Sequence, residues 1–318
     1  MKLGIISATF REFPFEEFLD FAKGLGIQAI EYGGFSFEDH FTLEELATEK
    51  SKREELLKNV KDRDMFISAL NAPAINVLHP NKETAKDAQA KLRKVFEVAN
   101  LLGVDRVVAM AGLPGLSSEA VEPGWVPMYA GDLYEKYEWQ WKERVIPIWR
   151  DLAEHADKNK VKICIELHPY QAAYNPSTLL RLREEVGEII GVNLDPSHLF
   201  WQGMSIPEVI KILGSAIYHT HMKDIRIDPI ACAQNGFFNP QKYTDFKNRS
   251  WIPCIVGYGH DMGEWKAIIS TLQSVGYNYV LSIEHEDVLF PIKEGVEKEA
   301  HFLKNIMIEG NVEEKIWF

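Results

Sequence analysis

The sequence lacks the features of secreted and membrane-spanning proteins. It has three cysteines in 318 residues, Cys164, Cys232 and Cys254, whose spacing forms neither a CxxC pair nor a short disulfide framework. No segment approaches the ~20 consecutive apolar residues of a membrane helix. The first residues, MKLGIISATF, contain a short apolar run without the cleavage site of a signal peptide, and they are typical of a first strand. We therefore expect reduced thiols, a cytoplasmic location and no membrane partner.

An excess of basic residues is also absent. The chain has 35 lysines and arginines against 47 aspartates and glutamates, which gives a net charge of −12. A nucleic-acid partner needs a basic face that displaces counterions from the phosphates, so this balance disfavours nucleic-acid binding. The remaining composition, 46% hydrophobic and 26% charged residues, is that of an ordinary globular protein.

The chain instead contains a regular alternation of short apolar runs and amphipathic segments. Helical patterns such as ETAKDAQAKLRKVFEVANLLG, which ends at Gly103, separate the apolar runs. Eight runs rich in Val and Ile have the length of buried strands, and they begin at Leu3, Gln28, Met65, Asp105, Val161, Ile189, Ile217 and Tyr279. Strands that alternate with helices favour parallel pairing through right-handed crossovers.

Eight such units predict an α/β fold of the (β/α)8 TIM barrel class, with residues 1–318 as a single domain. A doubly wound open sheet is the alternative. That fold favours a glycine-rich GxGxxG turn after the first strand, and the segment SATFREFPF has none.

Two connections are longer than the rest. Residues 113–140 follow the fourth predicted strand and residues 228–260 follow the seventh, and both are rich in Trp, Tyr and Phe. Long loops in a compact domain are usually functional or disordered, and disordered segments contain few aromatic residues. Loops that follow strands lie on the catalytic face of a barrel. We therefore expect lids or substrate walls over that face, or surfaces for a partner in a homo-oligomer.

Four consecutive predicted strands end in residues that can bind a metal ion. They are Glu166 in CIELHP, Asp195 in NLDPSH, His219 and His221 in HTHMKD, and Glu284 in SIEHED. Each of these residues alone is more often structural, but the ends of neighbouring barrel strands meet at one mouth. Three carboxylates and one imidazole could then surround one cation. Such a set favours Mn²⁺, with Mg²⁺, Co²⁺ and Zn²⁺ as alternatives.

The segment SIEHED contains four charged or titratable residues, and strand alternation divides them into two pairs. Glu284 and Glu286 lie on one side of the strand, and His285 and Asp287 lie on the other. We assign the chemistry to Glu284, a position at the rim to Glu286, and structural roles to His285 and Asp287.

These motifs carry a resemblance to a known superfamily. The segments ICIELHP, NLDPSHLFWQG, YHTHMKD and GYNYVLSIEHED resemble the xylose isomerase-like TIM barrel superfamily, whose members are often labelled sugar phosphate isomerases or epimerases. The resemblance implies one divalent metal ion held by Glu166, Asp195, His221 and Glu284. It also implies that Glu166 and Glu284 move the proton and that His198 contacts the substrate.

Further residues are expected to bind substrate. His168 and Lys223 would orient or polarise its oxygens, and Trp201 with the loop aromatics would cover its apolar face. The segments LNAPAINVLHP and VGYGH resemble a branch related to the metal-binding subunits of C-glycoside deglycosidases, which act on 3-keto-glycosides. The substrate-binding residues that this likeness adds are Asn71, His79 and His260.

The resulting hypothesis is a metal-dependent isomerase or epimerase that forms an enediolate from a small carbohydrate. The sequence shows no glycine-rich phosphate cradle after the seventh or eighth strand, which favours an unphosphorylated sugar or related polyol. Two positions depart from the ketose 3-epimerases. Ala172 stands where those enzymes have a further glutamate, six residues after the first metal-binding glutamate. Ile227 stands where they have a substrate-binding arginine.

Three other functions remain as alternatives. A lyase or dehydratase acting on a 3-keto-glycoside or an inosose would use the same ligands. A non-catalytic sugar-binding barrel would not need a bound metal. A DNA-repair enzyme of the endonuclease IV type is disfavoured, because its third and fourth strands would need histidines where this chain has LNAP and AMAG.

Overall fold

Eight parallel strands close into a barrel in the computed structural model, in the order β1-β10-β7-β6-β5-β4-β3-β2. The structure describes residues 1–34, 40–72, 74–128, 130–238, 241–242 and 244–310. The strands are β1 (Lys2–Ile6), β2 (Ala29–Gly33), β3 (Phe66–Asn71), β4 (Arg106–Met110), β5 (Lys162–Glu166), β6 (Ile190–Leu194), β7 (Ile217–Met222), β8 (Asp224–Ile227), β9 (Trp251–Cys254) and β10 (Val280–Ile283). The predicted TIM barrel is confirmed, and its eighth strand is β10.

Helices connect the strands, and most of them pack on the outside of the barrel. They are α1 (Phe15–Gly24), α2 (Leu43–Thr48), α3 (Lys50–Lys61), α4 (Lys82–Leu102), α5 (Leu133–Gln140), α6 (Ile146–Lys158), α7 (Pro176–Val186), α8 (Ser197–Phe200), α9 (Ile206–Leu213), α10 (Pro229–Asn235), α11 (Met262–Ser274) and α12 (Ile292–Ile306). Among the described residues, no helix has both the length and the apolar composition that crossing a bilayer requires.

The longest helix, α4, shows how local sequence sets the element ends. The Asn81 side chain accepts the backbone N–H groups of Glu83 and Thr84, which caps the start of the helix. Gly103 ends it with φ of 71°, a left-handed conformation that glycine adopts without a Cβ clash. Between these ends, the apolar stripe that includes Leu92, Val95 and Phe96 packs fully buried.

The seventh apolar run is split, which corrects the predicted single strand. Strand β7 ends at Met222, and β8 leaves the barrel to pair antiparallel with β9, in the register Asp224↔Cys254 and Ile227↔Trp251. The segment 228–260 therefore contains α10 and β9, and the segment 113–140 contains α5. Within these two segments, residues 129, 239, 240 and 243 lie outside the described residues.

Three buried acidic side chains accept hydrogen bonds from the backbone of residues 255–260, where the chain returns from β9 to the barrel. Asp287 accepts the N–H of residue 255 at 3.2 Å, and Glu299 accepts that of residue 256 at 3.4 Å. Asp224 accepts the N–H groups of residues 257, 259 and 260 at 2.9–3.2 Å. A Cβ on Gly259 would lie 1.8 Å from the Ile225 carbonyl oxygen, so only glycine allows this approach. Segment 255–260 is thus fixed to the barrel.

The setting of Glu299 favours its neutral form. Its side chain is fully buried in α12, and one of its oxygens has no hydrogen-bond partner among the described residues. Burial raises the pKa of Glu299 well above its usual value, and the charges of Asp224, Asp287 and Glu284 add to the effect. The hydrogen bond from the Val256 N–H lowers the pKa of Glu299, but by less than burial raises it.

Replacement Glu299→Gln should stabilise the protein increasingly as pH rises. Because the folded pKa is raised, the stability contributed by the carboxyl is complete below the ordinary glutamate pKa and decreases as pH climbs towards the folded value. Glutamine has no proton to lose, so the gap in unfolding free energy should widen by up to about 1.4 kcal/mol per pH unit. Urea unfolding at several pH values measures it. The control is Glu297→Gln at an exposed position of the same helix, and a gap independent of pH would contradict the neutral state of Glu299.

Candidate metal and substrate site

The four predicted metal ligands come together at the carboxyl end of the barrel. Glu166 is the last residue of β5, Asp195 follows β6, His221 lies in β7 and Glu284 follows β10. One ligand atom from each of the four lies within 4.8 Å of the others. The side chains are buried, with Glu284 the most exposed at 14%. The barrel topology therefore assembles these ligands from four separate strands.

This constellation fits a divalent cation. Asp195 Oδ2 and His221 Nδ1 are buried and face charged groups, with Lys223 Nζ 3.1 Å from Oδ2 and a Glu284 oxygen 3.0 Å from Nδ1, but neither contact has hydrogen-bond geometry. Three carboxylates this close repel one another, and burying them is costly without a positive partner. A cation between the four atoms would remove both penalties, and the set of three oxygens and one nitrogen suits Mn²⁺, Mg²⁺, Co²⁺ or Zn²⁺.

The two ring nitrogens of His221 face different partners. Nδ1 lies 3.0 Å from a Glu284 oxygen and 3.4 Å from a Glu166 oxygen, and Nε2 lies 2.9 and 3.0 Å from the two oxygens of Glu31. Burial opposes a charge on the ring, but Glu31 and Glu284 outweigh burial and hold the pKa of His221 well above its usual value. A metal bound at Nδ1 would replace the proton there.

Lys223 supplies a second positive charge at the mouth. Its ammonium lies 2.6 Å from Glu284, 3.1 Å from Asp195 and 3.3 Å from Glu286. Burial opposes the charge, yet these carboxylates raise the pKa of Lys223 well above its usual value. In turn, the pKa of Glu284 falls well below its usual value, since Lys223 and His221 outweigh the opposing effect of burial. Glu284 is therefore ionised at neutral pH.

The remaining charged residues of SIEHED have different surroundings. Glu286 contacts the Lys223 ammonium of this cluster at 3.3 Å. Asp287 accepts backbone N–H groups from Ile255 and Leu289, and His285 packs against Gly295 of α12. Both residues are buried away from the four ligand atoms and support the surrounding chain.

His198 and His168 lie beside the ligand Glu166. The Nε2 atom of His198 is 2.9 Å from Glu166 Oε1, and the two imidazole rings are 4.4 Å apart. Burial outweighs the opposing charge of Asp195 and lowers the pKa of His198 well below its usual value, so the ring is neutral. A neutral ring that donates from Nε2 to Glu166 fixes the orientation of this carboxylate.

A cavity of about 210 Å³ opens beside the cluster, with His168, His198 and Lys223 among its lining residues. The two long connections meet here, because the Trp125 ring lies 6.2 Å from that of Phe238. Trp201 and Trp251 stack at 5.7 Å in the same wall. The aromatic residues that line the cavity are Trp125, Tyr170, Trp201, Phe237, Phe238 and Trp251.

Three other predicted substrate residues contact protein groups in the structure. The Asn71 amide donates to Glu31 at 2.7 Å, although Asn71 also lines a small cavity that reaches Glu166 and Glu284. His79 accepts the Asn81 N–H just before α4. His260 contacts Asp224 at 2.7 Å and stacks on Phe200. Among the described residues, neither His79 nor His260 belongs to the four-ligand set or to the lining of the two cavities beside it, so their substrate roles stay predictions.

A polar layer beneath the four ligands was not recognised from the sequence. His219 contacts Asn193 at 3.0 Å and Ser68 at 3.4 Å, and Asn193 donates to Glu166 at 3.3 Å. Both ring nitrogens of His219 thus have partners, and burial lowers its pKa to about 4.

Glu31 is the main residue that sequence reasoning missed. It is fully buried in β2 and contacts His221, Asn71 and Ser282. Burial favours its neutral form, but His221 and His219 overcome this and lower the pKa of Glu31 to about 2. The available signal was a lone acid within the apolar run QAIEYGG.

Solved structures share this fold across nearly the whole chain. The IOLI protein, solved with a bound zinc atom, is 19% identical with a TM-score of 0.67, and the match covers 96% of this chain and 98% of that one. D-psicose 3-epimerase, solved in the presence of D-fructose, is 13% identical with a TM-score of 0.63, covering 98% of this chain and 100% of that one. At these identities, the similarity establishes the fold.

Sequence comparison gives the family. The uncharacterized protein YfiH of Bacillus subtilis (strain 168) is 37% identical over 310 residues, which cover 96% of this chain and 98% of YfiH. The model of the family described as "Xylose isomerase-like TIM barrel" matches residues 19–306. The chain therefore belongs to the xylose isomerase-like TIM barrel family.

Proposed function

We propose that this protein is a divalent-metal-dependent sugar isomerase or epimerase. The observation that carries the proposal is the convergence of Glu166, Asp195, His221 and Glu284, with one ligand atom from each within 4.8 Å of the others. The names of two structures with the same fold agree with it, since one is a 3-epimerase and the other holds zinc.

A cation held by these four residues would supply Lewis-acid chemistry, acidifying the C–H beside a substrate carbonyl and stabilising the enediolate. Carboxylates provide three of the four ligands, which favours Mn²⁺, while the zinc in IOLI keeps Zn²⁺ as an alternative. The protein itself must position the substrate, transfer the proton and exclude water.

Glu166 and Glu284 are suited to proton transfer. Glu166 is the last residue of β5, and Glu284 follows β10. Because β6 and β7 separate these two strands in the barrel, the two carboxylates approach the mouth from different sides. Glu284 is ionised and can accept a proton from the substrate carbon, while Glu166 can exchange one on the opposite face. His198 orients Glu166 through the 2.9 Å contact, and the charge of Lys223, which lines the cavity, would polarise a neutral substrate oxygen.

The lining of the cavity indicates the class of substrate. Its aromatic rings provide flat apolar surfaces for the C–H face of a sugar ring, and they exclude water from the reacting atoms. Carboxylates already balance the charge of Lys223, and Arg249, the other cation in the described lining, donates to the backbone carbonyls of Gln241 and Trp251, so the lining disfavours a phosphate group. An unphosphorylated sugar or related polyol fits best.

A reducing, cytoplasmic setting is part of the proposal, in keeping with the three unpaired cysteines.

A lyase is the second candidate, favoured by the 210 Å³ cavity beside the cluster, which has room for a leaving group. The same four ligands and the same two glutamates would serve a 3-keto-glycoside or an inosose. Incubation of ketoses, inososes and 3-keto-glycosides with metal in D₂O separates the two functions. Deuterium exchange without a released group supports the isomerase, and release of an aglycone or water supports the lyase.

Replacement Glu284→Gln should abolish metal-dependent proton exchange. Glutamine keeps the shape of the side chain but cannot accept the proton, and loss of a general base typically costs about 10²–10⁴-fold in rate. Deuterium incorporation at the substrate carbon, followed by NMR, measures the effect. Glu299→Gln, a buried glutamate outside the site, is the matched control and should exchange at the wild-type rate. Full exchange in the Glu284 variant would refute its assignment.

Divalent metal should stabilise the chelator-treated protein. A ligand that binds only the folded state at 100 times its Kd adds about 2.7 kcal/mol to the free energy of unfolding. Thermal or urea unfolding with and without Mn²⁺ measures the gain, and elemental analysis gives the stoichiometry. The variant Asp195→Asn lacks one charged ligand and should gain less. Equal gains in both proteins would place the metal elsewhere.

A further inference from the structure

Glu31 occupies an unusual place for a charged residue. It lies in the middle of β2, its side chain is fully buried, and it reaches across the inside of the barrel to His221 in β7. In the closed sheet, β1 and β10 separate these two strands. Burying a carboxylate costs several kcal/mol unless hydrogen bonds replace its hydration, so its surroundings must compensate.

Donors from three strands provide that compensation. Asn71 of β3 donates to Oε1 at 2.7 Å, and Ser282 of β10 donates to Oε2 at 2.8 Å. The Nε2 atom of His221 lies 2.9 Å from Oε1 and 3.0 Å from Oε2, so it faces both oxygens. With partners on three sides, the carboxylate is held in one orientation under the imidazole.

This contact decides which nitrogen of His221 can bind a cation. A carboxylate accepts hydrogen bonds and donates none, so the nitrogen that faces Glu31 must carry the N–H. In the neutral ring, the lone pair then belongs to Nδ1, which faces Glu166 and Glu284 in the four-ligand set. The opposite tautomer would direct N–H at the metal position and a lone pair at the carboxylate.

We propose that Glu31 is a positioning residue that holds His221 as the Nε2–H tautomer, so that Nδ1 presents its lone pair to the divalent cation. The proposal rests on the metal site of the proposed function. Hydrogen bonding of a metal-bound histidine to a carboxylate fixes the ring and increases the basicity of the coordinating nitrogen, and removal of such partners typically weakens metal binding by about 10–100-fold. Glu31 contacts no other member of the four-ligand set among the contacts of the described residues.

Two substitutions at this position separate charge from tautomer. Glu31→Gln retains the shape of the side chain and can still accept the Nε2–H through its amide oxygen, but it loses the charge. Glu31→Met fills a similar volume and removes the acceptor. We expect Zn²⁺ affinity to fall in the order wild type, Glu31→Gln, Glu31→Met, with the glutamine variant weaker by about tenfold or more. Glu299→Gln removes a buried carboxyl that does not contact His221, and it should bind Zn²⁺ like wild type.

The measurement is a Zn²⁺ titration of the chelator-treated proteins in competition with a chromophoric chelator. Thermal unfolding of each metal-free protein checks that it folds. Long-range ¹H–¹⁵N NMR of the zinc-loaded proteins, with His221 assigned through His221→Gln, provides a second readout. The Nε2–H signal should be hydrogen-bonded in wild type and should shift in Glu31→Met.

The outcomes distinguish the two levels of the proposal. Weaker Zn²⁺ binding in both Glu31 variants, with a hydrogen-bonded Nε2–H signal in zinc-loaded wild type and unchanged binding in Glu299→Gln, supports the positioning role; zinc-loaded wild type without an Nε2–H signal would instead make Glu31 a ligand with His219 and His221 and overturn it. If wild type and Glu31→Met bind Zn²⁺ equally and show the same Nε2–H signal, the positioning role is wrong while the metal site stands. If wild type itself binds no Zn²⁺ or Mn²⁺, the metal site of the proposed function is wrong, and the role of Glu31 fails with it.

Discussion

Electrostatic balance at the carboxyl end of the barrel is the constraint on which the site depends. Glu166, Asp195 and Glu284 share one mostly buried mouth, and their mutual repulsion must be offset. The ammonium of Lys223 and the imidazole of His221 provide part of this balance. A divalent cation between the four ligand atoms would complete it. The shifted pKa values of His221, Lys223 and Glu284 all express the same attraction.

The rest of the structure supports this mouth from two sides. Beneath it, a hydrogen-bonded layer links Glu31 to His221 and Asn193 to Glu166, so that buried polar groups are paired rather than left unsatisfied. Beside it, the β8–β9 hairpin and the two long connections form an aromatic wall. Asp224 fixes the base of that wall through backbone N–H groups. A rigid frame of this kind is what precise placement of a substrate requires.

Much of the fold and of the ligand set could be predicted from residues close together in sequence. The alternation of apolar runs with amphipathic segments indicated the barrel, and the carboxyl ends of parallel strands must share one face. Glu166, Asp195 and Glu284 could be selected because each ends such a strand. The break after Met222 could not be predicted, since DIRI continues the run with β-branched isoleucines at alternate positions, a pattern that suits either kind of strand. Its pairing with β9 depends on a segment that comes about 25 residues later and folds back in space.

The sequence by itself determined the architecture and the three carboxylates that reach the mouth, because the ends of successive strands are local features that a closed parallel barrel brings to one face, while the choice of His221 over His219 rested on the family resemblance. Only the tertiary structure decided which partners surround them. Glu31 and His221 are 190 residues apart, and their contact exists because the barrel closes. Likewise, His260 pairs with Asp224 because β8 leaves the barrel and the returning chain passes over its end. The sequence specifies the type of each side chain, but only folding brings its partners within contact distance.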